Sequence, residues 1–304
     1  MAEYETTMKD LVLSVRNALE AERVPGGGLA RVMQVKRGVL PPSPLFPIVT
    51  VIPNAERIRT YRAGRQVAVV REVSVWTLSM DARGRSGIDL CKDIADTCLT
   101  ILRGVPRLPD GEGAPTVKMP LFGVLDFQEN QPIRHGGVYG VRLPVSYESN
   151  EIMPTPLLEK EQIDNPSSKE MVSQMLSAFQ GKRAAGLANI RGMFAEDWGP
   201  RMEYPRILVT SGEDLQGSRW KGVDDIAGNF EVYVESLIGT AKDMALDFHL
   251  DLLEPIKDAL QEQVNWGGRT VRSEIQGISF NTQNRGKPTY ETRISYGTLS
   301  KHTI

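Results

Sequence analysis

Four arginines fall within nine residues, at Arg57, Arg59, Arg62 and Arg65, in the stretch NAERIRTYRAGR. Guanidinium groups at that density can touch phosphates or pair with carboxylates, because each presents a rigid fork of donors. The second half of the chain carries the opposite sign in TSGEDLQGSRWKGVDDIAG, at Glu213, Asp214, Asp224 and Asp225. Adjacent carboxylates could hold a cation, but aspartates in a polar stretch are ordinarily solvated. Each stretch reads as a connection between two strands. The expectation is therefore two charged loops at equivalent places, one cationic and one acidic, suited to an interface or lumen surface where halves alternate.

Nothing else in the sequence assembles a reactive set. His135 lies in the turn PIRHGG, His302 near the last residue, and His249 beside Phe248 in a helical stretch. None has a partner at metal-ligand or triad spacing. Cys91 and Cys98 are seven positions apart, two helical turns or about 10 Å, too far for a disulfide. They read as buried core thiols. The glycines of VPGGGLA and DGEGAP match neither a phosphate loop nor a dinucleotide fingerprint, and no G-x-S-x-G elbow occurs. The expectation is a protein with no catalytic residues, no cofactor and no metal.

Composition narrows the class. The chain has 304 residues, 40% of them hydrophobic and 24% charged, which suits a globular protein of two domains. A net charge of −2 gives no global basic excess for wrapping nucleic acid. No apolar run approaches the roughly 20 residues that span a bilayer. The opening MAEYETTMKDLV lacks the basic and apolar regions of a signal peptide. Synthesis in a cytoplasm, with no membrane partner, is expected.

The elements that must position these residues come in a repeated order. FPIVTVIPN begins at Phe46, and 158 positions later YPRILVTSG begins at Tyr204; each is an aromatic residue, a proline, an apolar run and a polar turn. Ahead of the first, Met8, Leu11, Val12, Val15 and Leu19 share a helical face behind a capping box of Thr7 and Asp10. After it come a strand through Val67, Val69, Val73 and Val75, a helix capped by Ser86 and striped with Ile88 to Leu102, and strands over 117–121 and 139–147. In the second half Ser167 and Glu170 cap a helix, NFEVYVESLI alternates, and a long helix covers about 240–264 with Pro255 as a kink or restart. A last strand pair follows, with a bulge expected near Gly277. The glycine- and proline-rich stretches VPGGGLARVMQVKRGVLPPSPL and GKRAAGLANIRGMFAEDWGPRME read as irregular insertions.

The fold class that follows is α+β: two similar modules, each an antiparallel sheet with helices packed on one face, in the order α-β-β-α-β-β. The boundaries are 1–147 for the first module, 148–166 for a linker and 167–304 for the second.

With that order, YPRILVTSG…NFEVYVESLIGTAKDMALDFHLDLLEPIKDAL…ISF…YETRISYGTL resembles the tail terminator, or tail-completion, proteins of tailed bacteriophages over the second half. FPIVTVIP…REVSVWTLSM…GIDLCKDIADTCLTIL…YGVRLPVSY resembles them over the first. The resemblance implies a structural virion protein that forms a ring at the head-proximal end of the tail, caps the tube and joins it to the head connector. It implies no catalysis and no cofactor. Its partners would be itself, as three or six chains, the tail tube protein and the neck proteins, with DNA passing through the lumen. The chain departs from the family in carrying two modules instead of one. Two alternatives stay open: another tail or baseplate subunit, and an enzyme or small-molecule binder with a site between the modules.

Overall fold

The computed structural model describes residues 7–40, 44–62, 66–80, 85–105, 121–122, 126–129, 138–152, 167–198, 203–212, 215–220, 223–238, 242–263, 266–270, 272–281 and 289–303. Two compact units divide the chain, 1–152 with 240–246 and 153–239 with 247–304.

The first unit opens on α1 (Met8–Ala21), whose cap is the expected box: the Thr7 hydroxyl accepts the Asp10 N–H and Asp10 accepts the Thr7 N–H, both at 3.1 Å. β1 (Gln34–Arg37), β2 (Ile48–Arg62), β3 (Gln66–Met80), α2 (Arg85–Gly104), β4 (Leu121–Phe122), β5 (Asp126–Glu129) and β6 (Val138–Ile152) follow. The sheet runs β1-β2-β3-β6, with β4 and β5 on the far side of β6. Helices cover one face. The Thr77 hydroxyl of β3 donates to the Cys91 carbonyl of α2 at 2.9 Å, and Cys91 and Ala95 pack on Tyr139 and Val141 of β6. The opposite face carries a second cluster of Leu40, Phe46, Ile48, Ile52, Trp76, Leu78 and Val138.

The second unit opens on α3 (Ser168–Gly181), where Ser167 and Glu170 exchange the same pair of capping bonds at 3.2 and 2.8 Å. β7 (Gly192–Ala195), β8 (Arg206–Ser211), β9 (Leu215–Trp220), β10 (Val223–Leu237), α4 (Lys242–Glu262), β11 (Arg272–Asn281) and β12 (Thr289–Thr303) follow. Its sheet runs β7-β8-β10-β12-β11, and β9 takes up the place of β8 farther along β10. The strand order is that of the first unit: a short edge strand, the strand after the proline, a long central strand leading into a helix, and a closing strand. The α+β class holds, with helices on one face of each sheet.

Several expectations need correction. Each sheet is mixed, because β1 runs parallel to β2 and β7 parallel to β8. These four-residue strands lie inside the stretches read as irregular, and four residues are too few to print a period against the surrounding glycines. The basic stretch is strand as far as Arg62. β2 continues through Arg62, pairing with β3 as far as Arg62 opposite Gln66 and absorbing irregularities at Pro53/Ala55 and Ile58/Thr60 as bulges. The acidic stretch is largely strand as well, since β9 and β10 cover 215–220 and 223–237. Ser86 lies within α2, not ahead of it. α4 runs unbroken through Pro255, whose ring sits against Gly186; a Cβ there would come within 3.0 Å of it, and Gly186 holds φ +131°. The bulge near Gly277 is present, between Ile275 and Gly277. Val117 and Met119 lie outside the described residues. Among the described residues no helix is long and apolar enough to cross a membrane.

Candidate functional site

The arginines expected to form a cationic loop are distributed along β2. Arg57 is exposed and sits opposite Val70, Arg62 opposite Gln66, and Arg59 at the bulge between Ile58 and Thr60. Arg65 lies outside the described residues. Glu213 and Asp214 also lie outside them. Asp224 faces Arg219 of β9 and His302 of β12 in register, and Asp225 faces Lys301.

The strongest regularity is one the sequence only hinted at. Met33 N–H donates to the Pro47 carbonyl at 2.8 Å, and Arg191 N–H to the Pro205 carbonyl at 2.9 Å. Gly38 N–H donates to Val51 and Glu196 N–H to Val209, at 2.9 and 2.8 Å. Each matched donor and acceptor lies 158 positions from its counterpart. The peptide bonds Phe46–Pro47 and Tyr204–Pro205 are both cis. Gly38 and Glu196 both take left-handed backbone, at φ 68° and 64°. Glycine adopts that conformation freely; Glu196 is held there while its carboxylate accepts the Ser211 N–H at 3.2 Å and hydroxyl at 2.7 Å.

The two units fill one spot with different chemistry. In the first, Leu40, Phe46, Ile48 and Leu78 belong to the apolar cluster on the helix-free face. At the corresponding places the second unit has Trp198, Tyr204, Arg206 and Glu235. Arg206 and Glu235 are buried and joined at 2.7 Å through Nε and 2.5 Å through a terminal nitrogen. The guanidinium lies 4.0 Å from the Trp198 ring centroid and 4.7 Å from that of Tyr204. Aromatic faces stabilise a desolvated cation, and the carboxylate neutralises it. A second buried charge group, Arg71 with Glu56, Ser149 and Glu151, ties β2, β3 and β6 together. Composition gave no signal for either buried group; only register reveals which charges meet.

Among the described residues, His249, Cys91 and Cys98 sit in closed environments. His249 of α4 bridges the Ser236 hydroxyl of β10 and the Thr292 hydroxyl of β12, each at 2.8 Å, with Tyr290 beside its ring. A serine on an imidazole is the start of a nucleophilic pair, but Ser236 is 0% and His249 2% exposed, so no substrate reaches them. Burial pushes the His249 pKa down to about 3 and keeps the ring neutral. Burial likewise raises the Cys91 thiol and pushes Cys98 up to about 12, so neither is a thiolate at neutral pH. Among the described residues no three His, Cys, Asp or Glu side chains come together as a metal site. His135 lies outside the described residues.

No protein-family model matches the sequence, and no curated protein matches it. Among solved structures, a chain described as the virion of a native gene transfer agent particle is similar over 48% of this chain and 96% of that chain, at 13% identity and a TM-score of 0.34. A likeness that weak carries neither fold nor function to this protein.

Proposed function

We propose that the protein is a structural subunit of a tailed-phage particle, built by tandem duplication of one α+β module, which closes into a ring at the head-proximal end of the tail. There it caps the tube and meets the head connector. The observation that supports this reading is the shared strand order of the two units, down to backbone hydrogen bonds matched at a constant spacing of 158 positions. Two similar modules in one chain offer two similar sets of surfaces, and closed cyclic assemblies are built by repeating one heterologous contact. The resemblance of both halves to tail terminator proteins names the kind of ring. The reading gives the chain no catalytic step and no cofactor. Arg57, Arg59, Arg62 and Arg65 are assigned to a subunit or lumen surface, together with the acidic positions of the second unit.

The test is assembly. Purified protein mixed with tail tubes should seat at one tube end and stop further polymerisation, visible by negative-stain microscopy. Tubes that elongate at the normal rate with no density at either end would overturn the proposal.

A further inference from the structure

No further inference is drawn: the strongest candidate, the apolar patch that Met33, Leu45 and Met80 leave exposed at one end of the first unit's sheet, has nothing in the structure that shows what covers it.

Discussion

At the scale of single residues, the second unit stakes stability on polar groups with little access to water. His249 is neutral between the Ser236 and Thr292 hydroxyls, with a pKa of about 3 against an ordinary value near 6.5. A depressed pKa means that the unfolded chain binds the proton first as pH falls. Stability from this group is present above about pH 6.5 and is lost progressively towards pH 3, at up to about 1.4 kcal/mol per pH unit. Urea midpoints of wild type and His249→Gln at pH 7, 5 and 4 should therefore converge as the solution is acidified. Parallel curves would assign the acid sensitivity to other groups. The buried Arg206–Glu235 pair makes a second prediction. Glu235→Leu alone leaves a buried guanidinium unpaired and should cost about 3–5 kcal/mol. The double change Arg206→Ile with Glu235→Leu writes the first unit's Ile48 and Leu78 into the second, and should recover most of that loss in chemical denaturation. A double variant no more stable than the single one would mean that Trp198 and Tyr204 accept only a cation beneath them. At Glu196, replacement by glycine relieves the left-handed backbone but removes the bonds to Ser211. Each effect is worth about 1 kcal/mol, so the expected change in unfolding free energy is near zero, whereas Glu196→Val loses both ways.

Elements show where sequence reading reaches and where it stops. Both capping boxes, the apolar stripes of α1 and α2, the long α4 and the bulge before Gly277 were legible, because each is fixed by residues within a few positions of one another. β1 and β7 were not: a four-residue parallel edge strand owes its existence to β2 or β8, which lie beyond local pattern. The extent of β2 was hidden for a related reason. Arg57 to Arg62 look like a solvated loop by composition, yet β3 supplies a partner row for their backbone. Of the residues expected to form a charged surface, Arg57 is the one whose side chain is exposed and described; exposed charge of this kind contributes under about 1 kcal/mol to folding. Serine at Arg57, Arg59, Arg62 and Arg65 together should leave the melting temperature nearly unchanged and weaken assembly. A large drop in melting temperature with assembly intact would move these side chains from the interface to the fold.

For the whole molecule, the proposed ring sets the mass that should be found. Six modules close the ring of the resembled family, and a chain with two modules supplies them in three copies. That gives 3 × 33.7 kDa, about 101 kDa, while six copies with modules in two tiers give about 202 kDa. Opposite charges in the two stretches suit a ring in which the halves alternate. Three copies supply the six modules with one repeated contact between chains. Light scattering coupled to size exclusion separates the masses, and class averages report the symmetry. A particle of about 101 kDa with three-fold averages is the expected result; a dimer that stays open in the presence of tail tubes would remove the ring altogether.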